Sequence, residues 1–212
     1  GASVAAKKMT RRQLGIAALM LAGGLGVAHV LRRPHADYET STAERRTITL
    51  PDGSMADLAA QTRIALAYEP AARRINLLEG EAFFTVAPAP GRPFIVEAGQ
   101  ASATALGTSF SVANDAGAVR VLVTEHAVNL RAGVRTAHIE AGNRVLYDGS
   151  SLGPVEPADT AADLAWREGR LVFTHAPFGD VVATINRWRS GRLVVIGGDL
   201  ARRPVTVIAE IE

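Results

Sequence analysis

Arg73-Arg74-Ile75-Asn76-Leu77-Leu78-Glu79-Gly80-Glu81-Ala82-Phe83-Phe84-Thr85-Val86 is the stretch whose reading decides the fold. Ile75 and Leu77 alternate with Arg74 and Asn76, so every second side chain falls on one face of a strand. Glu79-Gly80 then reads as a turn, because glycine reaches positive φ at little steric cost. Residues 82–86 read as the next strand.

The same period of two recurs on both sides. Upstream, residues 47–50 alternate into Pro51-Asp52-Gly53-Ser54, where proline presets φ and Asp-Gly tolerates a tight turn. Residues 64–68 follow. Downstream, Pro88, Pro90, Gly91 and Pro93 break the chain before a run at 94–98. Further runs lie at 102–106, 109–112, 119–123, 127–130, 138–140 and 144–147. Turn signals recur at short, even spacing. The expectation for residues 38–150 is an all-β domain, built as a sandwich or as a solenoid-like roll.

Beyond it the texture changes. Residues 151–165 read as a linker rich in Gly, Pro and acid, running into a short helix at 161–166. A strand is expected at 170–173. Pro177-Phe178-Gly179-Asp180 opens a helix whose Val181, Val182, Ile185 and Trp188 share one face. Strands are expected at 192–196 and 205–208. Residues 166–212 thus read as a small α+β unit, strand–helix–strand, that is only partly contained in the sequence.

Charge is divided unevenly. The formal net charge is +2. Residues 1–33 hold Lys7, Lys8, Arg11, Arg12, Arg32 and Arg33 and no acid, which leaves the remainder at −4. A nucleic-acid binder places its positive charge on the folded domain, so nucleic acid is not an expected partner. Here the charge flanks Leu14-Gly15-Ile16-Ala17-Ala18-Leu19-Met20-Leu21-Ala22-Gly23-Gly24-Leu25-Gly26-Val27-Ala28-His29-Val30-Leu31, an uncharged run long enough to span a bilayer. Four basic residues precede it and two follow, which orients the N-terminus to the cytoplasm. The expectation is a cytoplasmic tail at 1–13, a single transmembrane helix at 14–31 in a bacterial inner membrane, and a periplasmic bulk. A cleaved signal peptide ending near Gly26-Val27-Ala28 is one competing reading, and a buried soluble helix is the other, which the all-round apolarity and flanking charges argue against. The chain has no Cys, which excludes disulfides, thiol catalysis and Cys-ligated zinc.

Several short motifs, taken in order, resemble the FecR family of transmembrane anti-sigma regulators. They are Leu50-Pro51-Asp52-Gly53-Ser54, the stretch from Arg73 to Phe84, Arg92-Pro93-Phe94-Ile95-Val96, Leu106-Gly107-Thr108-Ser109-Phe110 and Ala141-Gly142-Asn143. Trp166 to Phe173 and Asn186-Arg187-Trp188 resemble the start of the family's C-terminal module. The match covers about residues 38–208. Two positions depart from the pattern. His126 stands where the family has glycine after the glutamate at Glu125, and no glycine stands near Val205-Thr206-Val207.

The resemblance implies a relay with no cofactor and no external substrate. A TonB-dependent outer-membrane receptor would present its signalling domain to residues 166–212, in the manner of iron-uptake signalling. Periplasmic and intramembrane proteases would then release a cytoplasmic domain, not contained in these residues, that acts on an extracytoplasmic-function sigma factor. It also implies self-cleavage between Gly107 and Thr108. In that reaction the threonine hydroxyl attacks the preceding carbonyl and water hydrolyses the ester. His126 or Glu125 is the expected base. The plain alternative is a bend at Gly107 and an ordinary strand residue at Thr108.

Trp166, Phe173, Phe178 and Trp188 are expected either as the core of the small unit or, if exposed, as an anchor for the partner. His29, His35, His126, His138 and His175 show no metal-ligand spacing. No phosphate loop or nucleophile elbow is present. The rival function is a membrane-anchored β-domain that binds carbohydrate or cell-wall polymer through a row of exposed aromatics.

Overall fold

The computed structural model describes residues 34–211. The expected transmembrane helix at 14–31 and the tail before it lie outside these residues. No helix among the described residues is long and apolar enough to cross a membrane.

The chain is mainly β. Strands β1 (Tyr38–Glu39), β2 (Arg46–Thr49), β3 (Met55–Leu58) and β4 (Arg63–Tyr68) lead to β5 (Arg73–Thr85), which runs for 13 residues. Then follow β6 (Phe94–Ala98), β7 (Ala101–Ala105), β8 (Ser109–Asp115) and β9 (Ala118–Glu125). The series ends with β10 (Ala127–Ala132), β11 (Arg135–Glu140), β12 (Asn143–Tyr147) and β13 (Glu156–Pro157). All thirteen belong to one curled sheet, ordered β11-β10-β7-β6-β5-β8-β9-β12-β13, with β1 to β4 branching from β5. Among the described strands only β5–β6 is parallel, so the repeated parallel coils of a solenoid are not what the pairing describes.

The sheet curls because β5 changes neighbours along its length. Residues 73–79 pair with β4 and β6, and residues 80–85 with β3 and β8. Glu79-Gly80, read from sequence as a turn, lies inside this strand. Arg63 pairs with Glu79 while Ile64 pairs with Leu77, so Leu78 is one residue too many for the ladder. Such a bulge bends the strand and inverts its phase. Arg73, Ile75 and Leu77 point inward before it; Gly80, Ala82 and Phe84 do so after it. Both halves of the sheet therefore face the same core. Phe84, Phe94 and Phe110, none of them solvent-exposed, meet there with ring centroids 5.5 to 6.4 Å apart.

A buried polar knot fastens the Pro51–Ser54 turn to the start of β5. Arg73 is 1% exposed and donates from Nη1 to Asp52 Oδ2 at 2.8 Å and to the Ala87 carbonyl at 2.7 Å. Its Nε donates to the Arg92 carbonyl at 3.0 Å, and its guanidinium lies 5.5 Å from the Phe94 ring centre. Asp52 also accepts from Tyr68 Oη at 2.8 Å and Ser54 Oγ at 2.6 Å. Burial pushes the Asp52 carboxyl up, but the hydrogen bonds from Ser54, Arg73 and Tyr68 hold it below its usual value. Burial and the neighbouring carboxylate push the Tyr68 hydroxyl up.

Strand β3 was not foreseen. Met55-Ala56-Asp57-Leu58 holds only weak strand formers, yet Ala56 and Leu58 are fully buried. Helix α1 (Thr160–Asp163) is capped by Asp159, whose side chain accepts from the Ala162 amide. A 3₁₀ turn, Ala165–Glu168, leads to β14 (Arg170–Pro177), α2 (Phe178–Ile185), α3 (Gly198–Ala201) and β15 (Pro204–Glu210). Among the described residues β14 and β15 pair only with each other. Residues 192–196, expected as a strand, form none. The Asn186 side chain accepts from the Leu193 amide and donates to its carbonyl, at 2.8 and 2.9 Å. A ladder would need those same two groups.

Candidate functional site

The connection from β7 to β8 carries the Gly107–Thr108 bond. Leu106 is 62% exposed, whereas Thr108 is buried. The Thr108 carbonyl accepts from the Val86 amide at 2.9 Å. Gly107 lies flat against Pro88: a Cβ added to it would sit 3.2 Å from Pro88 Cα. Thr108 Oγ1 is buried with no hydrogen-bond partner. A buried hydroxyl without a partner costs about 1–3 kcal/mol, so its presence asks for an explanation.

Neither expected base hydrogen-bonds to the Thr108 hydroxyl. Glu125 accepts from Ser109 Oγ, through Oε2 at 2.6 Å, rather than from Thr108. His126 is exposed and forms the one-residue link between β9 and β10, at φ +58. That left-handed conformation favours glycine, which is the residue the resembled family has there. The structure thus gathers Thr108, Ser109 and Glu125 at one strand end but gives Thr108 no proton acceptor.

Ser109 and Thr124 were missed in the sequence. Thr124 Oγ1 donates to the Ser109 carbonyl at 2.9 Å. Counting outward from the tight Ala116-Gly117 turn was the available signal. It sets Ser109 opposite residues 124–125, and the register confirms Ser109↔Glu125.

The aromatic set lies at the other face of β5. Trp166 and Trp188 are buried, ring centroids 6.3 Å apart, with Ala59, Ala60, Phe83 and Leu171. Phe173 packs against this cluster and Phe178 is half-buried. Trp166 Nε1 donates to Glu81 Oε1 at 3.3 Å, and Glu81 also accepts from Ser111 and Arg120. Arg167 stacks 3.8 Å from the Phe83 ring centre and donates to Asp57. Arg45 donates to the carbonyls of Trp166 and Arg167. These contacts fasten the C-terminal strands and helix onto the sheet. Trp166→Phe keeps an aromatic ring but loses the indole donor and part of its buried volume, and is expected to lower the unfolding free energy by about 1 kcal/mol or more in urea titration. No loss would mean that the Glu81 contact contributes nothing.

All eleven aromatic residues lie among those described, and none is exposed. What the C-terminal part does expose is aliphatic: Val194, Ile196 and Ile208, at 69%, 89% and 70%. No other strand among the described residues pairs with the outer edges of β14 and β15.

Residues 36–129 match the model of a family described as FecR protein. Two crystal structures, each of a candidate anti-sigma factor from Parabacteroides distasonis, share the fold. One has a TM-score of 0.74 at 24% identity, over 82% of this chain and 84% of that one. The other has 0.73 at 25% identity, over 82% and 83%. No curated protein matches the sequence.

Proposed function

A FecR-family domain spans residues 36–129 of this chain, and from that premise we propose that the chain is the periplasmic and membrane-anchored part of an anti-sigma regulator. It relays a signal from a TonB-dependent outer-membrane receptor to an extracytoplasmic-function sigma factor. The family match carries the reading, and the likeness in fold to the candidate anti-sigma factor supports it. Residues 14–31 anchor the chain in the inner membrane, and periplasmic and intramembrane proteolysis transmits the signal.

Receptor contact falls on the C-terminal strands. An open strand edge takes up a partner strand through backbone hydrogen bonds, and side chains on alternate positions set the specificity. β14 and β15 offer such edges, with Ile208 exposed beside them. Self-cleavage at Gly107–Thr108 belongs to the same reading, supported by the unpartnered Thr108 hydroxyl.

Binding of the chain to the receptor's purified signalling domain tests the relay. Ile208→Asp is expected to weaken that binding by about tenfold or more, because it sets a charge in an apolar contact, while leaving the melting temperature unchanged. A well-folded wild-type chain that retains no such domain would sink the relay.

A further inference from the structure

The two flanks of the Gly107–Thr108 bond are held by different means. On the N-terminal side Gly107 rests against Pro88, where an added Cβ would sit a tight 3.2 Å from Pro88 Cα. On the C-terminal side Ser109 is held twice. Its hydroxyl donates to Glu125 at 2.6 Å, and its carbonyl accepts from Thr124 Oγ1 at 2.9 Å. A β-bulge makes this double hold possible. Ser109 pairs with Glu125 while Phe110 pairs with Val123, so Thr124 is the extra residue. Between the clamps sits Thr108, its hydroxyl buried and unpartnered.

We infer that Glu125 is a positioning residue for cleavage of the Gly107–Thr108 bond, acting through the Ser109 hydroxyl and not as a base. The inference rests on the self-cleavage reading above. Thr108 Oγ1 bonds to the Gly107 carbonyl carbon, the C–N bond breaks, and the hydroxyl proton passes to the freed amine. Water then adds to the ester carbon, and the C–O bond breaks. The products are a Gly107 carboxylate and a Thr108 with free amine and restored hydroxyl. The attack is intramolecular, so its rate depends on how often the hydroxyl lies in line with the carbonyl. A hydroxyl with no competing hydrogen bond is free to take that position. A residue fixed immediately after it restricts the backbone that carries it. Thr108 immediately precedes β8, and the Glu125 carboxylate accepts from Ser109, not from the unpartnered Thr108 hydroxyl. Glu125 therefore acts on the reaction through Ser109 and the backbone that joins it to Thr108.

The test is a time course of intact mass on the full chain. It uses wild type, Thr108→Ala, Glu125→Ala and Glu125→Gln, with a thermal melt of each. Wild type is expected to split between Gly107 and Thr108, and Thr108→Ala to stay whole. Glu125→Ala, which frees Ser109, should cleave about tenfold slower or worse. Glu125→Gln keeps an oxygen that accepts from Ser109, and should cleave within about threefold of wild type. Wild-type cleavage with Glu125→Ala equally fast would overturn the positioning role. Glu125→Gln folded but as slow as Glu125→Ala would make the carboxylate a base and overturn it as well. An uncleaved wild-type chain would remove the self-cleavage reading itself, and this inference with it.

Discussion

Gly80→Ala is expected to prevent folding. Gly80 sits at φ +90 in the middle of β5, a backbone conformation that costs an L-residue about 1–2 kcal/mol on its own. The larger penalty is space. An added Cβ would lie 2.4 Å from Thr62 Oγ1, 2.5 Å from Thr62 Cα and 2.7 Å from the Gln61 carbonyl. Two of those three atoms are backbone, so no rotamer change relieves the clash. The Thr62 hydroxyl also exchanges hydrogen bonds with the Glu81 amide and carbonyl, both at 3.0 Å, so shifting it breaks a second contact. A loss above about 4 kcal/mol follows, comparable to the whole stability of many domains. Gly142→Ala is the matched control. Gly142 has φ +80 with nothing within 4 Å of the added Cβ, so it should lose only the conformational part. Circular dichroism and urea unfolding of the two variants separate the terms; equal losses would show that the close approach at Thr62 is relieved cheaply.

Arg73→Met is expected to cost about 3–5 kcal/mol, because it leaves the Asp52 carboxylate buried without its cation. Asp52 keeps Tyr68 and Ser54 as donors, but neither neutralises it. Pairing Arg73→Met with Asp52→Asn should recover part of that loss, since no charge is then left buried. The pair also sets the acid limit of the fold. The folded-state pKa of Asp52 lies below its unfolded value. Its contribution is therefore fully present above the unfolded pKa, near about 3.9. It fades as pH falls from there through the lower folded value. Urea midpoints measured downward from pH 6 should fall less steeply for Asp52→Asn than for wild type below about pH 4. Parallel curves would mean that other carboxylates govern the acid limb.

How far the sequence could be read depended on whether a signal was local. Period-two runs such as 94–98 and 119–123 announce buried strands, because alternation is a property of neighbouring residues. The course of β5 was not legible. A bulge at Leu78 is defined only against β4, and Glu79-Gly80 has the same composition as a turn. β3 was missed because its burial comes from the layer it meets, not from its own propensity. Residues 192–196 failed in the opposite direction. Val194, Val195 and Ile196 favour a strand, but Asn186 occupies the backbone groups of Leu193. At the candidate site the Gly107-Thr108 pair was visible as a motif. Its surroundings were not, since Glu125 reaches Ser109 from another strand and Pro88 from another loop. The aromatic cluster was legible as apolar weight, while its anchor Glu81 carries no distinguishing mark in the sequence.

The two neighbours of the 107–108 junction in the sheet are crossed over. β5 lies before that junction and pairs with β8 after it; β7 lies before it and pairs with β10 after it. Phe84 and Phe94 from the earlier part pack on Phe110 from the later. Opening the peptide there would make two molecules by mass and leave one by architecture, two strand seams and a shared core still closed. Chemistry at that bond would then only arm the assembly. Parting the pieces would be an unfolding event, timed by its activation barrier, and whatever grips the C-terminal strands would act by shortening that wait.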